Sequence, residues 1–440
     1  MTLPRVLIFG QPFNRNSGGG ITLSNLFNGW EKDKIAVACT GHMTNNLTTD
    51  ICNHYYQLGN KEQKWVFPFN KFQKKFESGV LKITNNAQEF NQIPSKPGIR
   101  KRFVDQIFYP SLRYFGLFYN ISSIKLSNEF CRWLNEFKPD ILYVQVSERD
   151  AILFAQALQS FLKIPMIIHI MDDWPTTISS KGIFKNYWRK KIDKEFRELL
   201  NRASLLMSIS DAMASEYKDR YGKKFITFHN PINIEFWKQQ QRNHYDLNNP
   251  PSILYAGRIG IGIETSLELI ARSIHNVNKE LRISIKFILQ TQDKLTWFNQ
   301  YNFVEHRPFV SYIELPKKFS EADLLILPYD FSKKSIDFIR YSMPTKAPEY
   351  MISGTPILIF APEMTAIVKY AQKLKWAKVV TQKNTKELEE AIKFLLQNKI
   401  ERTTLANNAK QIAEKNHDSI IITNNFRKVI CDLTNGEFAN

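Results

Sequence analysis

Short, unbroken apolar runs recur along the chain, each followed by a polar or glycine-bearing loop and then a stretch with helical spacing. Val6–Phe9, Ile141–Val144, Ile253–Ala256, Leu324–Leu327 and Ile357–Phe360 are the clearest of these runs, and Met166–Ile170, Ala203–Ile209 and Ile283–Leu289 are similar, with one or two polar residues each. A run of this length without polar alternation fits a parallel strand covered by helices on both faces. Strand, loop and helix in repeated succession predict an α/β fold with doubly wound parallel sheets. The helical stretches end where such helices should: Tyr221-Gly222 closes one begun at Asp211, and Gly354 closes another begun near Thr345.

The 440 residues divide into two texturally similar halves, with the polar stretch Gln239–Pro251, ending in Pro250-Pro251, between them. The expected organisation is an N-terminal domain over 1–235, a linker over 236–251, a second domain over 252–415, and a closing helix over 416–440 that braces the first domain. Residues 61–120 break the rhythm of the first half. There, lysines and arginines interleave with Trp65, Phe67, Phe69, Phe72 and Phe76, and Arg100-Lys101-Arg102-Phe103 leads into a second aromatic cluster. That texture suits core aromatics under a basic face or an anionic membrane surface. No recognisable nucleic-acid-binding pattern accompanies it, so nucleic acid is not expected as a partner.

The net charge of +18 favours anionic partners such as nucleotides or acidic lipid. The four cysteines have no paired spacing, which speaks against a disulfide framework or a zinc site and for a reducing cytoplasm. No apolar run approaches the length of a membrane span, and the apolar segment within Met1–Gly10 is too short for a signal peptide. Asp172-Asp173 does not read as a metal site, because adjacent carboxylates diverge and no other ligand cluster joins them.

Three loops carry candidate chemistry. Gly10–Gly20, with Gly18, Gly19 and Gly20 in succession, follows the first strand and precedes a helical stretch, the layout of a phosphate cradle or of a plain flexible turn. Gly257-Arg258-Ile259-Gly260-Ile261-Gly262 follows Ile253–Ala256. Its spacing is neither a dinucleotide fingerprint nor a P-loop. The third is Ser342-Met343-Pro344-Thr345-Lys346-Ala347-Pro348-Glu349-Tyr350. Thr345 is expected to cap a helix whose first turn holds Lys346 and Glu349 on one face, a cation for phosphate beside a carboxylate for ribose hydroxyls. A plain surface Lys–Glu pair is the alternative.

These stretches together resemble the GT-B glycosyltransferases, in particular the retaining group that includes family 4. The resemblance rests on Ser342 to Pro356, on Tyr255-Ala256-Gly257-Arg258, on His169 to Asp172, and on Ala322-Asp323 before the run ending at Pro328. It implies two Rossmann-like domains facing across a cleft, an acceptor side in the first and a nucleotide-sugar donor site in the second. It further implies that Glu349 binds the ribose, that Arg258 neutralises the diphosphate with Lys346 beside it, and that His169 faces the cleft near the sugar as a catalytic group. Gly18, Gly19, Gly257 and Thr345 would complete the donor site. The implied reaction is metal-independent, retaining transfer from a nucleotide-diphosphate sugar, with no further cofactor, to a glycan or lipid-linked acceptor in surface polysaccharide synthesis at the inner face of a membrane. Two positions depart from the pattern: Tyr341 stands where a sugar-binding glutamate is usual, and Ile263 where a lysine is usual. A nucleotide-sugar epimerase on the same fold and a non-catalytic scaffold with a decayed donor site are the other readings.

Overall fold

The computed structural model describes residues 2–41, 43–44, 47–81, 104–178, 181–260 and 262–436. Arg100-Lys101-Arg102-Phe103 lies outside them. The chain forms two compact units, Met1–Phe228 with Thr423–Asn440, and His229–Ile422.

The first unit holds, in chain order, β1 (Val6–Phe9), β2 (Ile35–Thr40), β3 (His54–Leu58), β4 (Gln63–Trp65), β5 (Gly79–Val80), β6 (Ser122–Ile124), β7 (Ile141–Val144), β8 (Met166–Ile170), β9 (Leu205–Ser208) and β10 (Ile226–Thr227). Its eight-stranded sheet runs β10-β9-β8-β7-β1-β2-β3-β5. Every pairing is parallel except β3 with β5. β4 and β6 form a separate antiparallel pair. The central strands are mostly apolar because helices cover both faces, and all residues of β1, β7, β8 and β9 are buried. Strand order reverses at β1, which pairs with β7 on one side and β2 on the other. At this switch point the chain turns sharply at Gly10. Its φ is +107°, and a Cβ there would lie 2.0 Å from the Gln145 carbonyl oxygen, so only glycine fits.

The second unit holds β11 (Ser252–Ala256), β12 (Lys286–Gln290), β13 (Val304–Arg307), β14 (Leu324–Pro328), β15 (Ile357–Phe360) and β16 (Lys378–Val380). They form an all-parallel sheet in the order β13-β12-β11-β14-β15-β16. That is the doubly wound dinucleotide order, which leaves a ligand crevice outside the carboxyl ends of the two central strands, here β11 and β14.

The expected linker is not a separate segment. Ile234–Lys238 is helical, and Arg242 is buried, with its guanidinium donating to Asp323 at 3.0 Å and to the His244 and Asp246 carbonyls. Asp323 also accepts hydrogen bonds from the Asn248 and Ser252 backbone N–H groups. Arg402, likewise buried, donates to the carbonyls of Tyr245, Leu395 and Leu396, which satisfies the end of the Thr385–Gln397 helix. Residues 236–251 therefore pack as part of the second unit. The polar composition that suggested a linker serves these buried bonds. The last helix, Ser419–Thr434, returns to the first unit, where Phe426 meets Phe27, Tyr143 and Phe228 edge to face.

Candidate donor site

The site begins at the carboxyl end of β11. Gly257 leaves the strand with φ +149°, a conformation that side chains rarely adopt, and a Cβ there would lie 2.3 Å from Lys346 Nζ. The missing side chain is what lets the lysine reach the strand end. Lys346 opens the short helix Lys346–Ile352, and its ammonium donates to the Ala256 carbonyl at 2.9 Å while lying 4.1 Å from the centre of the Tyr255 ring. Tyr350, one turn on, accepts from the Ala256 N–H at 2.9 Å through its hydroxyl. Helix and strand end are thereby locked together by three side chains. An ammonium carries three donor hydrogens. Among the described residues only the Ala256 oxygen takes one from Lys346.

Glu349 shares the helix with Lys346 but forms no ion pair with it, and no hydrogen bond holds its carboxylate among the described residues. Both side chains are half-buried. Burial pulls the Lys346 ammonium down to about 7, with the nearby Glu349 charge opposing the shift. Burial likewise pushes the Glu349 carboxyl up to about 7, against the attraction of Lys346. Two ionisable groups withdrawn from water, one with a single carbonyl and a ring for partners and the other with no hydrogen bond among the described residues, are costly to keep charged, and such groups cluster where a ligand completes them.

The loop after β11 is pinned on both sides. The Ile259 N–H donates to Asp293 at 2.8 Å, the Asp330 N–H to the Gly262 carbonyl at 2.7 Å, and the Ser266 N–H to Asp330 at 2.7 Å. Tyr255 OH holds the Arg258 carbonyl at 2.6 Å, while the Arg258 side chain is exposed and unpaired among the described residues. Asp330 and Tyr329 follow β14, so the pinned loop spans the two strands that flank the switch point. The sequence did not single out Asp293 or Asp330, and it gave Tyr350 and Asn230 no role of their own. They act over distances of 34 to 115 residues along the chain, and no local pattern marks them.

Thr345 does not cap the helix. Its backbone is already helical, φ −57° and ψ −30°, and its hydroxyl makes no capping bond. A capping side chain reaches the free N–H groups from an extended backbone, which Thr345 lacks. Its carbonyl is held instead by Asn230 Nδ2 at 3.0 Å. Thr345→Val is therefore expected to change stability by less than about 0.5 kcal/mol, where loss of a true cap costs about 1; a urea titration measures this. The helix does end at a left-handed glycine, Gly354, with φ +75°.

In the first unit, Gly18 and Gly19 open the helix Gly18–Leu26, capped by the Ser17 hydroxyl, which accepts from the Gly20 N–H at 3.1 Å. The glycine that sterics demand is Gly20, where a Cβ would lie 2.3 Å from Asn14 Nδ2. His169 is not presented as an open catalytic group. It is 1% exposed, its Nδ1 pairs with Tyr143 OH, and burial lowers its pKa to about 3, leaving a neutral ring. Tyr143 stands opposite Ile167, so His169, two residues on, shares its face of the sheet. Asp173 accepts from Arg220 at 2.8 and 3.2 Å and from Tyr217 at 2.9 Å. Among the described residues no group of His, Cys, Asp or Glu is placed to hold a metal ion. Tyr341 is buried under Arg340, and Ile263 packs against the core of the second unit.

The Glycosyltransferase Family 4 model matches residues 91–236. No curated protein sequence matches the chain significantly. Among solved structures, HepE of Anabaena in complex with UDP is similar at 12% identity and TM-score 0.58, over 97% of this chain and 100% of that one. The same protein with UDP-glucose gives 13% and 0.58, over 97% and 99%. Sucrose-phosphate synthase from Thermosynechococcus elongatus gives 10% and 0.60, over 98% and 99%. The chain thus has the GT-B fold, and its residues 91–236 match the Glycosyltransferase Family 4 model.

Proposed function

We propose that the chain transfers a sugar from a nucleotide-diphosphate sugar to a glycan or lipid-linked acceptor, without a metal ion and with retention at the anomeric carbon. The observation that carries this reading is the half-buried, unpaired couple of Lys346 and Glu349 at the end of β11. The diphosphate lies along the Gly257–Gly262 loop, where Lys346 and the exposed Arg258 neutralise it. These two fixed cations supply the leaving-group stabilisation that a metal gives elsewhere. Glu349 accepts from the ribose hydroxyls. Gly18 and Gly19 allow close approach of donor and acceptor to the backbone. His169, buried and bonded to Tyr143, supports the strand beneath the acceptor side, and the reading assigns it no proton transfer. UDP is the first nucleotide to test, since HepE is described with UDP and with UDP-glucose.

The acceptor belongs to surface polysaccharide synthesis, and the enzyme works at the cytoplasmic face of a membrane as a peripheral protein. Its surface charge supports this. No helix among the described residues is long and apolar enough to cross a bilayer.

The test is a thermal shift with UDP and other nucleotides in a chelator. A specific ligand at a hundredfold excess over Kd stabilises by about 2.7 kcal/mol. Wild type is expected to shift, and Glu349→Ala is not. No shift with any nucleoside diphosphate from folded protein would overturn the donor reading. A shift without sugar release from any donor would instead favour the scaffold.

A further inference from the structure

The first unit carries an apolar surface that none of the donor chemistry uses. Tyr114, Phe115, Leu117, Ile183, Phe184 and Tyr187 are each 44–59% exposed. They sit at two places far apart in sequence, the end of the helix Tyr109–Tyr114 with the turn after it and the start of the helix Lys185–Arg202 with the turn before it, that the backbone ties together. The Ile183 N–H donates to the Tyr114 carbonyl at 3.0 Å. Glycines stand at both crossings: at Gly182, with φ +112°, a Cβ would lie 2.3 Å from Tyr114 O, and at Gly116, with φ +64°, it would lie 2.2 Å from Trp188 Nε1. Trp188 is buried beneath the crossing, with its ring centre 5.0 Å from that of Tyr119 and the Arg149 guanidinium over it. Arg149 is in turn fixed by Glu195 at 2.6 and 2.7 Å. The large side chains are thus held out in water by an anchored base.

Charge decides the occupant. Residues 181–191 hold five lysines and arginines and no carboxylate. A protein-binding patch is apolar at its centre and poor in lysine. Apolar tips ringed by long cationic side chains match a bilayer boundary, where aromatic and aliphatic groups enter the acyl edge and lysines reach the phosphates.

We infer that the linked segments 113–117 and 181–191, each a turn joined to a helix end, form a wedge that docks the enzyme on an anionic lipid surface. The wedge deepens the membrane part of the function above and is independent of the donor site. It inserts Phe184, Ile183 and Tyr187 from one segment and Phe115 and Leu117 from the other. The glycine crossings keep these tips together.

Flotation of the full chain with vesicles tests it, using phosphatidylcholine alone and phosphatidylcholine mixed with phosphatidylglycerol. Wild type is expected to float with the mixed vesicles and not with phosphatidylcholine alone. The triple variant Ile183→Ser/Phe184→Ser/Tyr187→Ser should lose at least about tenfold in partitioning, because binding scales with apolar area inserted. Lys185→Glu/Lys190→Glu should lose a similar amount. All five positions are exposed, so melting temperature and UDP shift should stay at wild-type values in both variants. Wild type that fails to float overturns the wedge. So does a triple variant that floats like wild type, which would mean diffuse attraction by the net charge. Lipid-free self-association that the triple variant abolishes would assign the surface to a second copy and equally overturn it. A missing UDP shift with intact flotation would sink the donor reading alone.

Discussion

Glu349→Gln is expected to make the protein more stable above pH 7 while removing its response to UDP. The folded carboxyl titrates near 7, against an ordinary value of 4.5. Between those values the folded state keeps a proton that the unfolded chain has released, so wild-type stability falls as pH rises through this window. Above it the full penalty stands. At face value the shift is worth about 3 kcal/mol, and contact of the half-buried group with water reduces this to about 1–2. Glutamine keeps the shape and carries no charge, so the melting temperature at pH 8 should rise by about 2–6 °C. At pH 4.5 and below, the difference should vanish. The same change removes the charged acceptor for ribose hydroxyls, a loss of about tenfold to a hundredfold in UDP affinity. Gain of stability with loss of binding is the signature of a group held for a ligand. A variant that melts lower at pH 8, or binds UDP like wild type, would show that Glu349 serves the fold.

The architecture was legible because it rests on local signals. Unbroken apolar runs such as Val6–Phe9 and Ile357–Phe360 specify strands buried on both faces, and glycines after them specify turns. Strand order places Gly257 at a switch point, and the Gly257-Arg258 pair was visible as a motif. What the sequence could not supply was reach and orientation. That Lys346 folds back onto the Ala256 carbonyl depends on a contact 90 residues away. His169 shows the same limit: an apolar strand buried on both faces gives no period from which to read the direction of its one polar side chain. Thr345 failed as a cap because the helical backbone begins before it, with the Ala347 N–H already bonded to the Pro344 carbonyl at 3.0 Å. The polar stretch before Pro250 read as a linker because composition does not distinguish polar residues facing water from Arg242, which is buried against Asp323.

Lys346→Met is expected to separate phosphate recognition from recognition of the nucleoside. Methionine matches much of the lysine stem in length and apolar contact, so packing over Tyr255 persists and the charge goes. Charge-assisted hydrogen bonds to phosphate are worth about 1.5–3 kcal/mol, so UDP affinity should fall about tenfold to a hundredfold. Uridine, which lacks the phosphates, should bind wild type and variant alike. The pH profile gives a second readout. The terminal phosphate completes its ionisation at about pH 6, and in the free protein Lys346 loses its proton at about 7. Wild-type affinity for UDP should therefore fall between pH 7 and 9, as binding must increasingly restore that proton. Without the ammonium at position 346 this fall above pH 7 should disappear, leaving only a rise in affinity as the Glu349 carboxyl ionises. Isothermal titration across this range in two buffers of different ionisation enthalpy also counts the proton taken up, which wild type should show at pH 8 and Lys346→Met should not. Equal losses for uridine and UDP, or an unchanged pH profile, would mean that Lys346 only fastens its helix to β11. The cation would then have to come from the exposed guanidinium of Arg258.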